Sequence, residues 1–397
     1  GWYGDLGNFL VMPSTGPLHV VAGKEDSDEI KGYRSTYDKA SEKAEAGYYS
    51  VFLDRYQIQA EATASPYGGM LRFTFPENDT SRIQIDLARR VGGTSTRQSV
   101  EVVDGNTIKG WIKCDSTGGG WGDGDGHPEY TVYFYAEFSK PLLNYGFWAQ
   151  DVPDGQDRKN KDVASLEYQR MLEKAKIIPG ASAVEADHVG FYLEFPTRDQ
   201  EQVLLKVGIS FTDMQGAENN FFADVKGKNF RTMQELAQKA WDNALGKIDV
   251  KGGTEDEKSI FYTALYHTMI DPRNITDVDG RYPRPNGKVH ESEGFTKRTI
   301  FSGWDVFRSQ FPLQTIINPK LVNEEINSLI SLAQQSNKNY LERWEFFNAY
   351  SGCMIGNPAL SVIADAYAKG IRGFDQEQAL DLMIKTSEKF GNSDLGY

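Results

Sequence analysis

Apolar residues change their spacing once along this chain, near residue 230, so one layer type cannot account for the whole of it. Before that point they recur at every second position. Leu71-Arg-Phe-Thr-Phe75 and Ile83-Gln-Ile-Asp-Leu87 alternate apolar with polar, the period of half-buried strands. Tyr130-Thr-Val-Tyr-Phe-Tyr-Ala-Glu-Phe138 is a dense β-branched and aromatic run, and Val189–Phe195 and Val203–Phe211 continue the pattern. Turn residues separate the runs at Ser65-Pro66-Tyr67-Gly68-Gly69, Pro76–Asp79 and Asp104-Gly105-Asn106. Strands punctuated in this way predict a large antiparallel β-sandwich.

After residue 230 the spacing is helical. Thr232-Met-Gln-Glu235 and Thr254-Glu-Asp-Glu257 read as capping boxes, in which the Thr hydroxyl accepts from the third amide of the helix and the Glu reaches back. The first opens a helix whose face runs from Met233 to Leu245 and which stops at Gly246. The second opens a stripe of Ile260, Phe261, Ala264, Leu265 and Met269, ended by Pro272. Further helices are predicted from Asn318-Pro319, carrying Val322, Ile326, Leu329, Ile330 and Ala333; over Pro358–Ala368; and from Asp375, carrying Leu380, Met383 and Ile384. The second part is expected to be all helix, joined by the long loops Pro272–Arg298 and Lys338–Asn357. Loops of that length inside a compact domain usually serve function.

A net charge of −13 argues against a nucleic-acid partner, because phosphate has to be met by clustered cations. No apolar run is long enough to span a bilayer. Two cysteines, Cys114 and Cys353, build neither a disulfide framework nor a cysteine zinc site, and both read as buried free thiols. The five histidines show no ligand spacing, so no metal site is assigned within this span. The loop Gly118–Pro128 holds Asp123 and Asp125 between glycines, as calcium loops do. It lacks the bidentate Glu of an EF-hand and reads as a strand connection. The sequence starts Gly1-Trp2-Tyr3 with no Met or signal peptide, as a mature protein, a proteolytic product or a fragment would.

Three stretches gather groups that bind polyhydroxylated ligands: Phe301–Arg308, Tyr340–Asn348 and Gly1–Asp5. In the first, Asp305 would accept two sugar hydroxyls, Trp304 offers an apolar face, and Arg308 is spaced to orient the Asp. Structural Asp–Arg pairs with core tryptophans would look the same. Asp305, Glu342 and Glu345 are the candidate carboxylates for glycoside hydrolysis, and Asp365, mid-helix, reads as structural. No nucleophile elbow, phosphate-binding loop or dinucleotide fingerprint competes with this reading.

Thr299-Ile-Phe-Ser-Gly-Trp-Asp-Val-Phe-Arg308, Arg343-Trp344, Gly352-Cys-Met-Ile-Gly-Asn-Pro358 and Val362–Gly370 resemble the α-mannosidases of glycoside hydrolase family 92, and Gly1–Gly16 resembles a stretch of that family's N-terminal sandwich. The resemblance runs through the whole chain in order. It implies a calcium-dependent, inverting exo-α-mannosidase, in which a β-sandwich packs on an (α/α)6 toroid with the site between them, acting on mannose-containing glycans in a secreted, periplasmic or cell-surface setting. It divides the chain into the latter part of the sandwich (1–230), a linker helix (231–250) and the first part of the toroid (251–397). Carried over by position, Asp305 is the ligand of the terminal mannose hydroxyls, followed by Trp304 and Arg343, then Arg308 and Trp2. The family's general acid, its base and most of its calcium ligands belong to segments beyond residue 397. Asn348-Ala-Tyr-Ser-Gly352 departs from the family by lacking an acidic or His residue before Cys-Met, which implies a different acceptor preference. The competing readings are a phosphorylase or polysaccharide lyase of the same architecture, and a non-catalytic glycan-binding protein.

Overall fold

Thirteen residues, Asn78–Arg90, form the strand around which the first half of the chain is built. The structure, a computed structural model, describes residues 7–24, 30–115, 128–159, 163–292 and 294–389. The chain divides into two compact units, residues 1–121 with 131–241, and residues 122–130 with 242–397. Asp123 and Asp125 lie outside the described residues.

In the first unit Asn78–Arg90 pairs with Asn8–Thr15 on one side and His188–Thr197 on the other, and the sheet continues through Asn144–Gln150 to Lys176–Pro179. The second sheet has nine strands, with Tyr130–Phe138, Glu201–Ser210 and Gly68–Phe75 side by side at its centre. The sheets face each other through aromatic rings, Phe75 against Phe195 at 5.6 Å and Phe138 against Phe191 at 5.7 Å. Gly190 stands opposite Trp148 in the first sheet, and a side chain there would come within 1.8 Å of the indole.

The alternation in 83–87 predicts one wet face, but every residue from Ser81 to Ala88 is buried. The polar face is covered by the segment before residue 34 and is satisfied within the protein. Arg82 pairs with Glu194, Gln84 donates to the His19 carbonyl at 3.0 Å, and Asp86 accepts from the Tyr33 hydroxyl at 3.0 Å with His188 at 3.0 Å. Burial without these partners would cost several kcal/mol per group. A helix, Met214–Asp224, lies where strand was expected. Asp213 caps it, accepting from the Gly216 amide at 2.7 Å, and Phe221 packs on Tyr135 with ring centres 5.0 Å apart. Helix Phe230–Leu245 is capped by Asn229, which accepts from the Thr232 amide at 2.8 Å; the box predicted at Thr232 does not form, and Glu235 pairs with Arg231 instead.

In the second unit the box at Thr254 forms as predicted and opens helix Glu255–His267. Helices Gln310–Ile317, Pro319–Gln335, Pro358–Ala368 and Gln376–Ser387 make two hairpins around one core. Val322, Ile326, Leu329, Ile330 and Ala333 sit in that core together with Val362, Ile363 and Ala366. The stripes read from the sequence fail at two helices: Ile260 is 71% exposed and Leu380 57%, while Ala379 and Leu382 turn inward. The all-helix expectation is also corrected. The long loops carry short strands, Arg273–Asn274 with Arg298–Thr299, Arg281–Pro283 with Val289–Glu291, and a three-stranded sheet of Phe301–Ser302, Trp344–Phe346 and Ala349–Tyr350. Pieces of two or three residues have no period for a sequence to display.

Candidate functional site

The three-stranded sheet joins the two richest sequence stretches of the second unit. Phe301 pairs with Glu345 and Ser302 with Trp344. The next residue has to be glycine: a side chain at Gly303 would meet the Arg343 carbonyl at 2.3 Å and the Phe301 ring at 2.5 Å. That close approach sets Trp304 and Asp305, on the single helical turn Gly303–Val306, against the strand that carries Trp344.

Asp305 is exposed, and the Ser302 hydroxyl donates to its carboxylate. Among the described residues it enters no ion pair. Arg308 does not orient it, contrary to the expectation from spacing. The Arg308 guanidinium lies over the half-buried Trp304 ring at 4.9 Å, and its Nε donates to the Trp304 carbonyl at 3.2 Å. Arg308 thus braces the indole rather than the carboxylate. Arg343 is only 1% exposed, and its Nη2 donates to the Gly352 carbonyl at 2.5 Å. This placement makes it a clamp on the loop after Trp344 rather than a group offered to a ligand. Trp2 lies outside the described residues. Cys353 is half-buried rather than fully enclosed, and burial pushes its thiol up.

Beneath this corner is a buried charged cluster that the sequence reading missed in part. Glu345 accepts from the Thr299 hydroxyl at 2.9 Å, the Ile300 amide at 2.9 Å and the Asn348 amide at 2.6 Å. Ile300 and Asn348 hold positive φ angles of 72° and 65°, a strained state for a β-branched residue in particular. The Glu345 carboxylate therefore pins two left-handed turns, one immediately before Phe301 and one immediately after Phe347. Burial holds its carboxyl above the usual range, against the pull of nearby Lys297. Burial likewise pushes Glu325 up to about 8 and brings Lys297 down to about 8. Lys297 donates to the Ser328 carbonyl at 2.8 Å. Glu342 is pushed by burial up to about 7, although its carboxylate accepts from the amides of Arg343 and Trp344, both at 3.0 Å. Neither Glu342 nor Glu345 is open to a substrate, since both are buried and committed to their own loop. Glu325 sits on Pro319–Gln335, a helix with most of its circumference covered, where spacing alone reads a Glu as solvated. Asp365 pairs with Lys369 at 2.8 Å one turn on.

Among the described residues no three or more His, Cys, Asp or Glu side chains converge as metal ligands. Among them, too, no helix is long and apolar enough to cross a membrane.

The glycosyl hydrolase family 92 N-terminal domain matches residues 1–210, and the family 92 catalytic domain matches residues 216–396. A family GH92 alpha-mannosidase from Bacteroides thetaiotaomicron is similar in structure, with a TM-score of 0.83 and 30% identity over 98% of this chain and 48% of that one. The same mannosidase in complex with mannoimidazole gives a TM-score of 0.84 and 30% identity over 97% and 47%. A family GH92 inverting mannosidase from the same bacterium gives 0.76 and 25% identity over 95% and 45%. The chain spans about half the length of these proteins. Its β-sandwich followed by the helices of an (α/α)6-type toroid is the fold they share. No curated protein matches it.

Proposed function

The chain belongs to glycosyl hydrolase family 92, and from that premise we propose that the whole protein is an exo-acting α-mannosidase releasing terminal mannose from glycans with inversion. One observation carries the reading for these residues. An exposed carboxylate, Asp305, is held by Ser302 beside the Trp304 ring, on a turn that the Gly303–Arg343 contact fixes in place. Supporting it, a relative at 30% identity is an alpha-mannosidase whose structure is known in complex with mannoimidazole, and another is named as inverting.

In this reading Asp305 accepts two hydroxyls of the terminal mannose and Trp304 covers an apolar face of the ring. Arg308 braces Trp304, and Arg343 positions the loop. Inversion needs a protonated carboxyl at the leaving oxygen and a carboxylate that activates water on the opposite face, about 6.5–9.5 Å apart. Glu342 and Glu345 fail as that pair because both are buried in their own loop. By the family resemblance, the acid and base are proposed to lie outside residues 1–397. Calcium dependence is proposed on the same footing, with most of its ligands outside residues 1–397, as is action on glycans in the periplasm, at the cell surface or in the medium.

The test is an assay of the complete protein on α-linked mannobiosides, with the released sugar followed by proton NMR. The β-anomer of mannose should appear first, and EDTA should suppress turnover. First appearance of the α-anomer would contradict inversion, and absence of turnover with retained mannoside binding would favour the glycan-binding reading.

A further inference from the structure

The hairpin Arg281–Pro283 with Val289–Glu291, helix Pro319–Gln335 and the start of helix Gln376–Ser387 enclose a cavity of about 450 Å³ within the second unit. It shares no lining residue with the Asp305 corner. Its volume falls in the range of small-molecule sites, about 300–1,000 Å³.

The lining has two parts. One is apolar: the Tyr282 ring, with His290 at 5.4 Å and Phe295 at 6.3 Å between ring centres, and Ile330. The other is a set of side chains able to donate and accept, several of them unused. Among the described residues Arg284 Nε and Gln335 Oε1 are buried with no hydrogen-bond partner. The Gln335 Nε2 is occupied, donating to the Tyr282 hydroxyl at 2.8 Å, which fixes the orientation of the amide and leaves the Oε1 side open. The side chains of His290, Gln334 and Gln378 make no hydrogen bond among the described residues, although all three line the cavity.

An unpartnered buried donor and an unpartnered buried acceptor in one cavity select the chemistry of what fits. Each unmet group costs about 1–3 kcal/mol. A carboxylate would accept from Arg284 but offer nothing to Gln335, and Asp375 in the same lining would repel both a carboxylate and the more highly charged phosphate. An ammonium group would meet Gln335 and Asp375 but not Arg284. A hydroxyl does both, accepting from the Nε–H and donating to the amide oxygen. A molecule with several hydroxyls on one edge and a C–H face for Tyr282 and Phe295 is a sugar ring. We propose that this cavity is a second sugar-binding site, taking one neutral hexopyranose residue, separate from the Asp305 corner. The inference goes beyond the proposed hydrolysis and does not require it.

The experiment uses the complete protein carrying Asp305→Ala, so that binding at the first corner is weakened, with methyl α-D-mannopyranoside as probe and inorganic phosphate as comparator. Saturation-transfer NMR should still show saturable binding of the glycoside. Affinity should fall at least tenfold with Arg284→Leu added. It should fall equally with Gln334→Trp, an exposed lining position whose indole would fill the cavity mouth while leaving Arg284 and Gln335 in place. If Arg284→Leu does not fold, Gln334→Trp carries the test alone. In the background with Asp305 intact, neither substitution should change α-mannoside hydrolysis, which separates this proposal from the catalytic one. Residual binding insensitive to Gln334→Trp, no residual binding at all, or preference for phosphate over the glycoside would each overturn it.

Discussion

Replacing Glu345 by Ala removes the acceptor for three buried donors, the Thr299 hydroxyl and the amides of Ile300 and Asn348. Leaving a buried donor unmet costs about 1–3 kcal/mol, so three would sum to about 3–9 kcal/mol with no relaxation. Two effects pull the sum down. The carboxylate's own desolvation cost disappears, as the upward displacement of its pKa indicates. The turns at Ile300 and Asn348 also gain freedom to leave their positive φ angles, which releases part of about 1–3 kcal/mol of strain each. The expected loss is about 3–5 kcal/mol, the size found when one partner of a buried charged network is removed. Glu345→Gln keeps one acceptor oxygen and should lose about 1–2 kcal/mol. Urea denaturation of the complete protein, followed by tryptophan fluorescence, measures both. Because the same carboxylate pins the strand leading to Ser302 and Asp305, the Ala variant should also raise KM for an α-mannoside more than the Gln variant does. A Glu345→Ala protein within about 0.5 kcal/mol of wild type, the scatter of ordinary surface changes, would refute the reasoning.

Gly303→Ala places a methyl 2.3 Å from the Arg343 carbonyl and should destabilise by about 1–3 kcal/mol, with lowered mannoside affinity; a neutral thermal shift would mean that the corner is not fixed by this contact. The Glu342 carboxyl, pushed by burial up to about 7, sets a pH dependence. The folded state keeps a proton that the unfolded chain, at its ordinary value of 4.5, has already released, so this contribution to stability is full below that value and is lost as pH rises through about 7. The slope approaches about 1.4 kcal/mol per pH unit for one proton. Glu342→Gln, which cannot titrate, should therefore gain on wild type between pH 5 and pH 8 in thermal denaturation, and a constant difference across that range would contradict the assignment.

The sandwich was legible because period-2 runs such as Leu71–Phe75 survive as strands, and Thr254 announced its helix through a complete capping box. Pro358–Ala368 was bounded correctly by a proline at its start and a glycine just past its end. The failures have physical causes. Asn78–Arg90 buries both faces, and its polar face is satisfied by residues distant in sequence, which alternation cannot show. Two-residue strands such as Phe301–Ser302 come from long-range pairing rather than from local preference. At the site, Asp305 and Trp304 stood out as residue types suited to sugars. The Arg308 interaction was misassigned because spacing places the guanidinium near both the carboxylate and the indole and does not choose between them. Glu325 and Lys297 escaped notice because nothing in the residues around them signals that a Glu or Lys is fully enclosed.

The account rests on Asp305 as the group that grips the terminal mannose, and the most direct measurement is calorimetric titration of the complete protein with methyl α-D-mannopyranoside before and after Asp305→Ala. The carboxylate is exposed and its side-chain partner is Ser302, so the substitution should leave the fold intact. Loss of hydrogen bonds to a charged group should cost about 1.5–3 kcal/mol, an affinity lower by roughly ten- to 150-fold. Unchanged affinity in a variant that melts like wild type would place the sugar elsewhere and contradict the central claim.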